Sequence, residues 1–317
     1  MQESKALISY IDKKSLTEIE SWKQERIKME KSIFKSQKVG HKIKKSWLLA
    51  KCIQLANIII EITGKAYWIR KALEIQVERR DFFLESLPNN FDGLKLLHLS
   101  DLHIDKLPGI EKRISKLIQK EDFDLVLLTG DYRDDYKLDF SCIYPQLKQI
   151  VASIRSKYGI LAVLGNHDSH QAFDVFNSIG VKTLINETVE LRIKEQSVLI
   201  TGIDDVHYFY SEKSEHAMRA APNGFKIMVA HSPEMLYLAE KLKYDFYLTG
   251  HTHGGQVCLP IPIVTHGAKR KYSSGNWKFR RMQGYTSRGA GVSTIPMRLN
   301  CPGEVGVLTL RSLPREG

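Results

Sequence analysis

The strongest constraint on this chain is an apolar run that stops on an acid and a histidine. Leu94, Leu96, Leu97 and Leu99 read as a strand buried on both faces, broken at Ser100 and followed by Asp101 and His103. A carboxylate and an imidazole fill a core poorly, but at the carboxyl end of a buried strand they suit a metal site. The arrangement recurs along the chain. Residues 125–128 lead to Gly130 and Asp131, and residues 160–164 to Gly165, Asn166, His167 and Asp168. Residues 227–230 lead to His231, and residues 246–249 to Gly250, His251, Thr252 and His253. Helical patterns over 109–120, 140–157, 171–179 and 234–243 separate the strands, 189–193 and 198–203 read as antiparallel neighbours, and 257–310 alternates turns with short strands. Strand–helix repeats followed by β strands predict an α/β domain with two sheets and outer helices.

In an open α/β fold the strand ends meet along one edge, so Asp101, His103, Asp131, Asn166, His167, His231, His251 and His253 can converge on one cleft. Nitrogen and oxygen donors in this mixture suit Mn, Fe or Zn better than Mg or Ca, and they exclude a thiolate site. Too many ligands converge for one tetrahedral ion. Two ions are the simpler account, with Asp131 as the bridging carboxylate.

The remaining features bound the context. At 317 residues the chain is long enough for one large domain plus an appendage. Cys52, Cys142, Cys258 and Cys301 are far apart and form no C-x-x-C, which reads as a reduced, cytoplasmic compartment without a disulfide framework. The net charge of +11 and pI near 9.3 suggest anionic partners. No secretory signal is expected at the start of the sequence, nor a spanning helix.

Residues 1–70 read as a basic helical region and 71–317 as the catalytic domain. Residues 1–45 look helical, weakly amphipathic and largely exposed. Seven lysines and no acid fall between Lys31 and Ile60, beside the apolar stretch that starts at Trp47. A lysine cluster abutting an aromatic-aliphatic helix predicts a peripheral contact with the cytoplasmic face of a membrane, against the alternative of a helix packed on the domain. Nucleic acid is disfavoured, because no aromatic residues interleave the charges on loops. Oligomeric state is left open.

Five motifs, Asp101–His103, Gly130–Asp134, Gly165–Asp168, His231 and Gly250–His253, resemble in order and spacing the calcineurin-like metallophosphoesterase superfamily. The resemblance implies a four-layer α/β/β/α sandwich, here with an N-terminal basic helical extension. It implies one metal on Asp101, His103, Asp131 and His253, and a second on Asp131, Asn166, His231 and His251. His167 matches the family's non-ligand histidine at the scissile phosphate or leaving oxygen. Asp168 is expected to orient it by accepting its other N–H, and Asp134 to lie behind the ligands. The reaction implied is metal-dependent hydrolysis of a phosphoric ester or pyrophosphate without a covalent enzyme intermediate, with two divalent ions, Mn²⁺ first and Fe or Zn as alternatives.

Residues 250–257, Arg288–Gly291 and Pro296–Arg298 resemble the branch with membrane-associated phosphodiesterases, including chlamydial-type UDP-2,3-diacylglucosamine pyrophosphohydrolases of lipid A synthesis. That resemblance implies an anionic, lipid-linked substrate, with Arg288 and Arg298 as phosphate contacts. A general phosphodiesterase or nuclease, and a non-catalytic scaffold of the same fold, are the competing readings. His41, His98, His170, His207, His216 and His266 read as surface or core residues. Tyr208 and Tyr210 read as part of a packed loop, or as the wall of a substrate pocket.

Overall fold

The computed structural model describes residues 7–11, 13–38, 47–262 and 268–313. The chain opens with strand β1 (Leu7–Tyr10) and helices α1 (Leu16–Lys38), α2 (Trp47–Thr63) and α3 (Lys65–Ala72). The first half of the domain holds β2 (Gln76–Leu84), β3 (Leu94–Leu99), α4 (Ile110–Ile118), β4 (Asp122–Phe123), β5 (Leu125–Thr129), α5 (Tyr144–Ala152), β6 (Arg155–Ser156), β7 (Ile160–Val163), α6 (Gln171–Ser178) and β8 (Lys182–Thr183). The second half holds β9 (Glu187–Ile193), β10 (Gln196–Gly202), α7 (Glu212–Ala220), β11 (Phe225–Val229), α8 (Leu236–Lys241), β12 (Phe246–Thr249), β13 (Gly275–Phe279), β14 (Met282–Thr286) and β15 (Glu304–Ser312).

Two sheets result, one ordered β2-β15-β3-β5-β7-β8 and the other β1-β9-β10-β11-β12-β14-β13. Period-2 alternation explains how they stack. Leu94 and Leu96 of β3, with Leu125 and Leu127 of β5, face Val198, Ile227 and Phe246 of the other sheet. Leu97, Leu99, Val126 and Leu128 point the other way, onto Ile110, Ile114 and Ile118 of α4 and Leu147 of α5. Ile110, Ile114 and Ile118 recur every four residues, which gives α4 one apolar stripe. Met218 of α7 and Leu236 and Ala239 of α8 cover the outer face of the second sheet. The architecture is therefore the four-layer α/β/β/α sandwich.

The N-terminal stretch departs from the sequence expectation. Leu7–Tyr10 is not helical but pairs antiparallel with β9, Leu7 opposite Arg192 and Tyr10 opposite Val189. Helix α1 is not merely exposed, because Trp22 and Arg26 are buried against the domain. Ala56, Ile60 and Trp68 of α2 and α3 pack on Ile295 and Met297, while Leu55, Ile58, Ile59, Ile62 and Tyr67 remain exposed. The lysine cluster over 35–45 lies outside the residues whose side chains are described. Among the described residues no helix is long and apolar enough to cross a membrane.

Two smaller expectations also shift. The helix expected over 140–157 ends at Ala152, because 155–156 pairs as β6 with β4. The loop that holds Tyr208 and Tyr210 leads into α7 rather than directly into the next strand.

Candidate metal centre

The carboxyl ends of β3, β5 and β7 in one sheet and of β11 and β12 in the other open onto the same edge. Backbone bonds fix their turns. Asp101 N–H donates to Gly130 O at 2.9 Å, His103 N–H to Asp131 O at 3.1 Å and Gly250 N–H to His231 O at 2.8 Å. Asp101, His103, Asp131, His251 and His253 all adopt left-handed backbone, with φ of 50°, 40°, 57°, 71° and 52°. Residues with a Cβ sit there at a cost, and such strain gathers at functional sites. Here it turns each side chain off its strand and over the shared edge.

Two glycines make room. A Cβ on Gly165 would overlap the Asp131 carboxylate, and a Cβ on Gly250 would overlap Ser100 Oγ and Asp101 Oδ2.

The seven expected ligands come together in two groups. In the first, His103 Nε2 lies 3.1 Å from His253 Nε2, and His253 Nε2 lies 3.4 Å from Asp101 Oδ1. In the second, Asn166 Oδ1 lies 3.1 Å from His231 Nε2 and 2.9 Å from His251 Nδ1, while those two nitrogens are 3.1 Å apart. Asp131 stands between the groups, its Oδ2 3.6 Å from His103 Nε2 and 3.3 Å from His231 Nε2.

The donor set itself tests whether divalent cations fit. His103 Nδ1 lies 3.1 Å from Arg133 O and His231 Nδ1 2.8 Å from Thr129 O. With N–H on those nitrogens, both Nε2 lone pairs point into the cluster. Lone pairs and carbonyl-type oxygens aimed at one another at these distances repel unless a cation lies among them. Ligand atoms bonded at about 2.1 Å stand roughly 3.0–3.4 Å apart around an octahedral or tetrahedral ion, which matches the observed spacing. Burial keeps one of these donors in the form a cation needs. His103 is pushed down to about 4 by desolvation and so stays neutral. Burial alone would raise the Asp131 carboxyl, yet His231 beside it, with His167, holds it well below its usual range, and the same contact with Asp131 outweighs burial at His231 and raises that imidazole well above its own.

His167 is the most solvent-accessible of these histidines and stands beside both groups. Its backbone N–H donates to Asp131 Oδ1 at 2.8 Å, and its Nδ1 lies 2.7 Å from Asp134 O. Its ring stacks on Tyr136 at 4.4 Å between centroids, with Tyr136 Oη 3.2 Å from Nε2.

Asp168 does not have the expected role of orienting His167, because Asp134 O takes that N–H. Asp168 turns beneath the loop instead. Its Oδ2 accepts from Asp131 N at 2.8 Å and Gly165 N at 2.7 Å, and its Oδ1 from Tyr132 N at 2.9 Å. It is a buried clamp that ties two ligand turns together. Asp168→Ala leaves three buried N–H groups without their acceptor and is expected to lower stability by about 3 kcal/mol or more, read as a fall in the urea midpoint.

Arg288 and Arg298 also differ from expectation. Arg288 is engaged by two carboxylates, Nη2 at 2.6 Å from Glu78 and Nε at 2.6 Å from Glu304. Arg298 is buried and donates to Gly291 O at 2.9 Å, Arg288 O at 2.8 Å and Cys301 O at 3.1 Å. Its Nη2 also lies 3.4 Å from His253 Nδ1. Both guanidinium groups hold the turn under Asp101 and His253 rather than a phosphate.

Sequence reasoning missed Tyr136, which its two-residue offset from Asp134 could have flagged. It also passed over His207, whose ring is 4.5 Å from His251 and whose Nδ1 lies 2.7 Å from Glu234. No local signal marks His207, because it stands 24 residues before His231, the nearest contributor to the cluster in sequence, and meets the cluster only in space. Of the loop once expected at Tyr208 and Tyr210, it is Phe209 that is buried, beneath Arg26.

A buried cluster of imidazole, carboxylate and amide donors split into two groups around one carboxylate, at the strand ends of a two-sheet sandwich, defines a dinuclear metal-dependent hydrolase. The calcineurin-like phosphoesterase profile matches residues 94–255, and the chain belongs to that family. It is 28% identical to the metallophosphoesterase YkuE of Bacillus subtilis over 265 residues, 78% of this chain and 91% of that one. It is 28% identical to the phosphodiesterase YaeI of Escherichia coli over 235 residues, 70% of this chain and 84% of that one. With YpbG of Bacillus subtilis the identity is 30% over 225 residues, 68% and 81% of the two chains.

Proposed function

We propose that the chain hydrolyses an anionic, lipid-linked pyrophosphate at the cytoplasmic face of the inner membrane, releasing UMP and 2,3-diacylglucosamine 1-phosphate from UDP-2,3-diacylglucosamine. The observation that carries the hydrolase is the pairing of two donor groups through Asp131, with His167 alongside. Asp101, His103, Asp131 and His253 would hold one ion, and Asp131, Asn166, His231 and His251 the other. Two divalent ions, Mn²⁺ in this reading and Fe or Zn by the same donor chemistry, supply Lewis-acid polarisation of a phosphoryl oxygen and a lowered pKa for water.

The chain's own residues supply the rest. The contact of Nδ1 with Asp134 O leaves His167 Nε2 as the atom that meets substrate, where a proton held on Nε2 is placed for the leaving oxygen. Tyr136 keeps that ring in plane by stacking. Buried Asp131 fixes the charge that the two donor groups share.

The lipid part of the reading is supported by the outer face of α2 and α3. Leu55, Ile58, Ile59, Ile62 and Tyr67 are exposed there, with Lys65 and Arg70 exposed beside them. An apolar stripe edged by cations suits an anionic bilayer surface.

Purified protein loaded with Mn²⁺ is expected to release UMP from UDP-2,3-diacylglucosamine and to cleave bis-p-nitrophenyl phosphate. Turnover of the second compound alone would overturn the lipid substrate and leave a general phosphodiesterase. Turnover of neither by a protein carrying two ions would remove the enzyme reading as well.

A further inference from the structure

Helix α1 lies far from the metal-ligand motifs in sequence, yet one stripe of it runs along the loop after β7. Trp22, Arg26 and Glu30 recur every four residues and so share one helix face. Glu30 Oε1 accepts from His170 N at 2.8 Å, and Glu30 Oε2 lies 2.9 Å from His170 Nδ1. Trp22 Nε1 donates to Asp204 Oδ2 at 2.7 Å. Arg26 stands between them with its side chain 1% exposed, ion-paired to Asp204 and stacked 3.4 Å over the Phe209 ring.

The second guanidinium nitrogen of Arg26 carries the argument. It donates to Gly165 O at 3.0 Å and to Asp168 O at 2.9 Å. Those two carbonyls bracket Asn166 and His167, the amide donor of one group and the histidine beside both. A planar guanidinium donates in fixed directions, so it pins two carbonyls and a carboxylate at once, which an ammonium does not. Asp168, the last of these four residues, closes the same loop through Gly165 N at 2.7 Å.

We propose that Arg26 is a positioning residue for the metal centre: from the N-terminal helix it sets the loop that presents Asn166 and His167. This rests on the dinuclear reading above, and it makes α1 a working part of the site rather than an appendage. Removal of the charge alone would strand buried Asp204, so two variants are needed. Arg26→Lys keeps a cation near Asp204 but loses the fork. Arg26→Met combined with Asp204→Asn removes both charges together.

The test is a Co²⁺ titration of metal-free protein followed by visible absorbance, with thermal melting of the same metal-free samples and kcat and KM for bis-p-nitrophenyl phosphate. In both variants the weaker of the two equivalents is expected to lose affinity on the order of 10- to 100-fold while the tighter one is retained. The kcat should fall with KM little changed. Wild-type binding of both equivalents by the two variants would overturn the proposal. So would a loss of both equivalents in step with a fall in melting temperature, which would mark Arg26 as part of the general packing. A wild-type chain that binds fewer than two ions would overturn the dinuclear reading and this inference with it.

Discussion

Asp131→Ala is expected to leave a folded protein that holds neither ion and has lost at least ~10³-fold in turnover. Asp131 Oδ2 lies 3.6 Å from His103 Nε2 in one donor group and 3.3 Å from His231 Nε2 in the other. Its carboxylate thus approaches a ring nitrogen of each group. Without it, the first group keeps Asp101 as its only carboxylate. The second keeps Asn166, His231 and His251, which are all neutral as ligands and carry no charge to offset a divalent cation.

The fold should survive the change. Asp131 lies at a strand end, and its side chain accepts from His167 N at 2.8 Å rather than holding strands together. Elemental analysis after gel filtration, with circular dichroism on the same sample, checks both parts. Two ions retained by the alanine variant would show that the carboxylate is not shared. One ion retained would show that it serves a single group.

Much of this centre is legible in the sequence, for a physical reason. A buried strand that ends on Asp, His or Asn puts desolvated polar groups where only a ligand, a charge partner or a hydrogen bond can compensate them. Five such endings in one chain restrict the choice to convergence, and the sheet order then brings them to one edge. The two-sheet sandwich followed from the same alternation of strand and helix.

What escaped the sequence depends on contacts with no local signature. Arg26 and Gly165 are 139 residues apart, and nothing around Arg26 distinguishes it from the other cations of α1. The role of Asp168 was misjudged because adjacency to His167 suggests a side-chain pair, whereas the loop turns the carboxylate back onto the N–H groups of Asp131, Tyr132 and Gly165. Arg288 and Arg298 were misjudged because charge alone does not reveal that Glu78, Glu304 and a set of backbone carbonyls already engage them. The β1 strand was missed because four residues, Leu7–Tyr10, are too few to show an alternating pattern against the helical composition that follows.

His167→Gln is the complementary experiment, with the metals kept and the chemistry impaired. His167 contributes its backbone N–H to Asp131 and is none of the seven proposed ligands, although its ring lies 5.0 Å from that of His103, so both ions should remain at wild-type stoichiometry. Loss of a general acid costs on the order of 10²- to 10⁴-fold in kcat. The KM should move little, because Nε2 meets the leaving oxygen rather than the phosphoryl oxygens.

The leaving group separates this role from simple packing on Tyr136. If Nε2 delivers a proton, the deficit is large for an ester with an alkyl alcohol as leaving group, which departs badly as the alkoxide. It shrinks towards unity for p-nitrophenolate, which departs without a proton. A deficit of equal size for both esters would place His167 on the phosphoryl group instead, and a loss of either ion would make it a ligand.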